Sequence, residues 1–201
     1  KRIENDVELF IDRNWLERKN EILIVGKDDK KSYTTKVNVL NPELYFLQVF
    51  SEVLDSNNVI ILGRIESHKI SENALYLTSE SRKYSDVIIN LNKESDNLSA
   101  EMTLLALAEK YYGKPATAKN GINVVEKMIE EIELNSEDYR LVDGSGVSHY
   151  NVVSAELLVS VLKYIYDKKP ELYEILYDSF PIAGVDGTLE RRMEKSLAKN
   201  N

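Results

Sequence analysis

Apolar positions along this chain change their spacing partway, and the change divides it into two portions. In the first portion residues 21–25 form a short run, Ile22-Leu23-Ile24-Val25, closed by Gly26. A charged turn at 27–31 leads into residues 33–39, where Tyr33, Thr35, Val37 and Val39 share one face at period two. That alternation is the mark of a half-buried strand, so the two runs predict a hairpin or meander. Asn41-Pro42 then supplies a polar cap and a proline suited to the first helical position. Phe46, Val49, Phe50 and Val53 extend an apolar stripe from it, and the helix should end near 55–58. Val59-Ile60-Ile61-Leu62 before Gly63 predicts one more strand.

From Glu72 onward the spacing becomes helical, and the domain boundary is placed in the polar stretch 67–73. Val87, Ile88 and Leu91 predict a short helix over 85–92. A second helix over 98–111 carries Met102, Leu105 and Ala108 as its apolar stripe, and stops at Gly113 with Pro115 beyond. Further helices are expected over 122–132, 154–166 and 170–177. Leu157, Leu158, Val161, Leu162 and Ile165 mark the core face of the second of these. Thr188 is expected to cap a last helix carrying Leu189, Arg192 and Met193.

Between the first two helices stands Ser95-Asp96-Asn97. Short polar side chains of this kind start helices by accepting bonds from unpaired backbone N–H groups. The same three letters also form the second motif of penicillin-recognising serine enzymes. Two later segments bear on the choice: Asp143-Gly144-Ser145-Gly146, continuing Val147-Ser148-His149, and Pro181-Ile182-Ala183-Gly184-Val185-Asp186-Gly187. The former is no nucleophile elbow, because its glycines touch the serine directly instead of standing two positions away. Its glycines permit backbone angles closed to other residues, and Asp143 can bond its own turn. The latter lacks the lysine of a phosphate loop and suits a rigid turn on the helical core.

Taken in order, K-E-S-D-N-L-S-A-E at 93–101, D-G-S-G-V-S at 143–148 and P-I-A-G-V-D-G-T-L at 181–189 resemble the D-alanyl-D-alanine carboxypeptidase/endopeptidase family, the class C low-molecular-mass penicillin-binding proteins. The resemblance runs from about residue 33 and is specific from about residue 79. It implies an α+β fold: residues 74–201 as the mainly helical, partial β-lactamase/transpeptidase-like domain, and residues 1–73 as the C-terminal part of a β-rich inserted domain. It implies that Ser95 relays a proton toward the departing amine and that Asn97 holds the substrate carbonyl and the catalytic lysine. Asp96 would brace the loop, and Asp143, Gly144, Ser145 and Gly146 would lie beside the cleft. Where the family commonly has an arginine after the second segment, this chain has His149.

No S-x-x-K stands upstream of S-D-N, where the family's nucleophile motif lies, and its third motif, K-T-G, is missing. Ser79 is followed three positions on by Arg82, whose guanidinium does not act as a base. The chain is therefore read as a fragment of a serine-type enzyme, inactive alone, whose partners would be peptidoglycan stem peptides and β-lactams. A non-catalytic cell-wall binding or scaffold protein that keeps the helical half is the alternative.

Composition narrows the rest. The 201 residues are 43% apolar and 30% charged, enough to bury a core. A net charge of −8 without a basic stripe argues against nucleic-acid or anionic-membrane surfaces. There is no cysteine, so disulfides and thiolate chemistry are excluded. The two histidines, His68 and His149, fall in different portions and support no two-histidine metal site; no cofactor is expected. No apolar run reaches the ~20 residues that span a bilayer. An extracytoplasmic, cell-envelope location follows from the resemblance, with any signal peptide outside this chain.

Overall fold

The computed structural model describes residues 9–26, 34–66, 69, 71 and 73–200. Two compact units divide the chain, Lys1–Leu77 and Thr78–Asn201. The fold is α+β and mainly helical, and the one sheet among the described residues lies in the first unit.

In that unit β1 (Phe10–Arg13) pairs antiparallel with β2 (Ile22–Val25), with Phe10 opposite Val25 and Arg13 opposite Ile22. The apolar run at 22–25 is thus a strand, but its partner precedes it. Residues 34–39 are not in a strand, a correction to the period-two reading; Tyr33, the charged turn at 27–31 and His68 lie outside the described residues. Side-chain hydrogen bonds hold this stretch. Asn20 accepts from the Leu40 N–H at 2.6 Å and donates to the Leu40 carbonyl at 3.0 Å. Arg13, nearly buried, donates through Nε to Asn38 Oδ1 at 2.7 Å. With these bonds made, a ladder is not required to satisfy the segment's anchor points.

Helix α1 (Pro42–Ser56) starts at the expected proline and ends where expected. Asn41 is left-handed at φ 54°, and its side chain makes no capping bond, so proline geometry rather than a cap begins this helix. Residues 59–62 form no strand: Ile60 and Leu62 are largely exposed, and no strand among the described residues is available to pair them. Extended apolar residues without a ladder remain irregular.

The second unit contains α2 (Tyr84–Glu94), α3 (Asn97–Tyr112), α4 (Ala118–Glu131), α5 (Ala155–Lys168) and α6 (Pro170–Ser179), with single 3₁₀ turns at Ser136–Asp138 and Gly187–Leu189. Its core comprises Leu104 and Ala108 of α3, Ile129 of α4, Leu157 of α5, and Ala183. Met102, expected on the core stripe of α3, is 54% exposed; Leu104 and Ala108 take the inward face because α4 approaches there. That approach is close. A Cβ at Gly121 of α4 would lie 2.7 Å from Leu104 Cγ and nearer still to the Leu104 carbonyl oxygen, so only glycine admits the contact. Thr117 accepts from the Asn120 N–H and starts α4 four residues ahead of the apolar pattern. Ser154 caps α5 in the same way.

The expected last helix is absent. Thr188 sits within the 3₁₀ turn, and the chain doubles back instead, with Gly184 N–H on the Leu189 carbonyl and Asn200 N–H on the Ala183 carbonyl. Met193 at φ 62° is incompatible with continuing a right-handed helix through it.

Candidate functional site

Two helices meet at the S-D-N turn, and each of its three residues has a distinct backbone job. Ser95 closes α2 in a left-handed conformation, φ 54° and ψ 51°. For a residue with a Cβ this costs about 1–2 kcal/mol, so the surroundings must hold it. Asp96 is the N-cap of α3: its Oδ1 accepts from the Leu98 N–H at 3.1 Å, and its Oδ2 from the Ser99 hydroxyl at 2.6 Å. Asn97 is the first residue of α3. Ser95 and Asn97 are both exposed, whereas Asp96 is half-buried and committed to the cap.

Downstream segments grip this turn from both sides. On the α2 side, Lys93 Nζ donates to Asp186 Oδ2 at 2.5 Å and to the Phe180 carbonyl at 3.2 Å. Asp186 Oδ1 accepts from the Ile182 N–H at 2.7 Å, which closes the P-I-A-G-V-D-G loop on itself. Gly187, at φ 55°, faces the Lys93 carbonyl so closely that a Cβ would stand 2.5 Å from that oxygen. One residue earlier on α2, Asn92 donates to the fully buried Ser179 hydroxyl at 2.7 Å, and Ser179 donates to the Leu176 carbonyl at 2.6 Å. The loop is therefore fixed at its origin as well as at its tip.

On the α3 side, Glu101 stands four residues after Asn97 and so shares its helix face. Its Oε1 accepts both the N–H of Ser145, at 3.0 Å, and the Ser145 hydroxyl, at 2.7 Å. Gly144 packs on the α3 backbone, where a Cβ would stand 2.8 Å from the Ala100 oxygen. Asp143 organises the rest of that loop, accepting from the N–H groups of Gly146 and Ser148 at 2.7 Å each and from the Asn151 amide at 2.9 Å. Gly146 takes φ 75°, which needs a glycine. His149 is exposed beyond this turn.

Three carboxylates carry the electrostatic consequence. The Lys93 hydrogen bond, then the Ile182 N–H, hold Asp186 below the usual carboxylate range. The Ser145 hydroxyl does the same for Glu101, against partial burial and helped by the backbone N–H groups of Gly144 and Ser145. Asn151, with the N–H groups of Ser148 and Gly146, does so for Asp143. Each is therefore ionised at neutral pH and serves as a fixed acceptor, not as a proton donor.

The structure thus brings Ser95, Asp96 and Asn97 together at one turn and sets Asp143–Gly146 against the same helix one turn on. Sequence reasoning missed roles for Lys93, Glu101 and Asp186. All three stand inside the quoted segments, at fixed distance from S-D-N or between the loop glycines, which is the signal that could have singled them out.

Two downstream segments are thus each tied to a helix that flanks the S-D-N turn. The sequence model of the D-Ala-D-Ala carboxypeptidase 3 (S13) family matches residues 8–200, and the chain belongs to that family. It is 29% identical over 174 residues to D-alanyl-D-alanine carboxypeptidase DacB of Haemophilus influenzae, covering 85% of this chain and 36% of the relative. It is 27% identical to the D-alanyl-D-alanine carboxypeptidase of Actinomadura sp. (strain R39), covering 90% of this chain and 35% of the relative. Among solved structures, penicillin binding protein 4 (dacB) from Haemophilus influenzae superposes with a TM-score of 0.75 at 26% identity, over 96% of this chain and 43% of that one. A crystal structure of that same protein complexed with a novel β-lactam gives a TM-score of 0.69 at 25% identity, over 96% of this chain and 45% of that one. The chain spans about a third of the length of the curated relatives it matches (36% and 35%).

Proposed function

We propose that this chain is the S-D-N-bearing portion of a serine-type D-Ala-D-Ala carboxypeptidase/endopeptidase acting on peptidoglycan stem peptides and acylated by β-lactams. The observation that carries the reading is the exposure of Ser95 and Asn97 on a turn whose remaining polar groups are bonded internally. Family membership and the β-lactam complex of the Haemophilus influenzae protein support it. Residues 1–73 are assigned to the returning part of an inserted domain, and the enzyme is assigned to the cell envelope, outside the cytoplasm.

The chemistry divides between this chain and the remainder of the longer protein. A serine hydroxyl from an S-x-x-K motif outside this chain gives its proton to that motif's neutral lysine and attacks the carbonyl of the terminal peptide bond, ending as an ester to the enzyme. As the C–N bond breaks, the leaving D-alanine amine takes a proton, and the Ser95 hydroxyl relays it by accepting one proton while donating another. Asn97 offers two donors to the substrate amide carbonyl and one acceptor to the catalytic lysine, without adding charge. Water then cleaves the ester. Exposed apolar residues on α5, Leu158, Val159 and Leu162, accord with a helical layer that further chain covers.

Fluorescent penicillin labelling of the longer protein tests the site. Ser95→Ala and Asn97→Ala should each slow acylation about 10²-fold or more, the scale of a lost proton relay or substrate-positioning group. Wild-type labelling in both variants removes the assignment. The present chain alone should turn over no D-Ala-D-Ala peptide. If the longer protein is labelled by no penicillin while binding isolated cell wall, the non-catalytic scaffold reading replaces this one.

A further inference from the structure

Ser95 holds a left-handed backbone between two helices, and the bonds that fix those helices lie outside the turn itself. Lys93, two residues before Ser95, ties the end of α2 to the 180–187 loop through Asp186 and the Phe180 carbonyl. Glu101, one helical turn after Asn97, ties the start of α3 to the 143–146 loop through the Ser145 N–H and hydroxyl. Both contacts are reinforced by glycines that bring a loop backbone onto a helix backbone, Gly187 at Lys93 and Gly144 at Ala100.

We propose that Lys93 and Glu101 are positioning residues, which present the Ser95 hydroxyl and the Asn97 carboxamide at a fixed separation by anchoring α2 and α3 to two different downstream loops. The inference rests on the assignment of Ser95 and Asn97 to the site. A lysine at 93 has donors for two acceptors on one loop, and a carboxylate at 101 accepts two bonds from one residue; each pins a direction as well as a distance. Neither belongs to the packed core of Leu104, Ala108 and Ile129. Releasing either should loosen the turn while leaving the helices packed. A displacement of about 1 Å at a reacting group can slow a reaction on the order of 100-fold.

The test measures the second-order rate of acylation by a fluorescent penicillin, together with the thermal midpoint of the unacylated protein, in the full-length polypeptide. Lys93→Met and Glu101→Leu remove the bonds; Lys93→Arg and Glu101→Gln keep donors or acceptors in place. The expected result is a loss of about tenfold or more in rate for each apolar variant. The midpoint should shift by less than about 3 °C, and each conservative variant should recover to within about threefold of wild type. The proposal is overturned by wild-type rates in the apolar variants, by loss that the conservative variants fail to recover, or by loss that follows the thermal midpoint. Ser95→Ala and Asn97→Ala, run in parallel, separate the two ideas. If they too label like wild type, the site assignment fails and this inference falls with it. If they lose labelling while Lys93→Met and Glu101→Leu do not, only the positioning role is lost.

Discussion

The two compact units solve the same problem, keeping short elements in place, by different means. In the first, a two-stranded sheet and one helix are joined by polar latches such as Asn20 to Leu40, and α1 displays stacked Phe46 and Phe50 rings, 67% and 50% exposed, without burying any residue. In the second, glycine-mediated helix contacts surround Leu104, Ala108 and Ile129, and ionised groups tie two loops to the ends of α2 and α3. Polar ties hold a direction where close backbone contacts back them, and in the second unit Gly187 and Gly144 supply those contacts. The S-D-N turn belongs to that unit.

Gly121→Val attacks this difference where it is greatest. Its side chain would meet the Leu104 backbone, which cannot move without unpacking α3 from α4, so a loss of about 3 kcal/mol or more is expected in urea unfolding of the second unit. A midpoint near wild type would mean that α3 and α4 do not approach as described.

Acid should weaken the same unit modestly through its ionised ties. Because Asp186, Glu101 and Asp143 titrate below their ordinary values in the folded state, the unfolded chain binds more protons, and stability rises with pH through that range. The contribution is present above about pH 4 and is lost as pH falls through the depressed folded values. Urea midpoints measured from pH 6 to pH 3 should fall, and Asp186→Asn combined with Asp143→Asn should flatten the decline. A slope unchanged by both substitutions would show that these ties add no acid sensitivity.

The smallest effect belongs to the first unit. Phe50→Ala on α1 removes an exposed ring and should change stability by less than about 0.5 kcal/mol in this chain. A cost of several kcal/mol, the size seen for buried rings, would place Phe50 in a core and erase the contrast.

What the sequence made legible cuts across that division, for α1 and the strand at 22–25 were readable in the first unit too. Helices α2 to α6 were readable because burial against neighbours imposes a 3.6-residue spacing, and because caps such as Ser154 and the stop at Gly113 punctuate it. The start of α4 was not, since Thr117 opens the helix before any apolar residue is required. Alternation at 33–39 predicted a strand, yet alternation reports only facing; pairing depends on a partner, and β2 had already been taken by Phe10–Arg13. The last helix failed because loop closure onto Ala183 and a positive φ at Met193 outweighed a cap at Thr188. Ser95 and Asn97 could be singled out by motif alone, but the ties through Lys93, Glu101 and Asp186 span 44 to 93 residues of sequence and became visible only in three dimensions.

The most direct measurement is a crystal structure of the longer protein acylated by a β-lactam. It should place Ser95 Oγ and the Asn97 carboxamide each about 3 Å from polar atoms of the bound acyl group or of the lysine beside it. An acylated serine whose surroundings contain neither side chain would contradict the account.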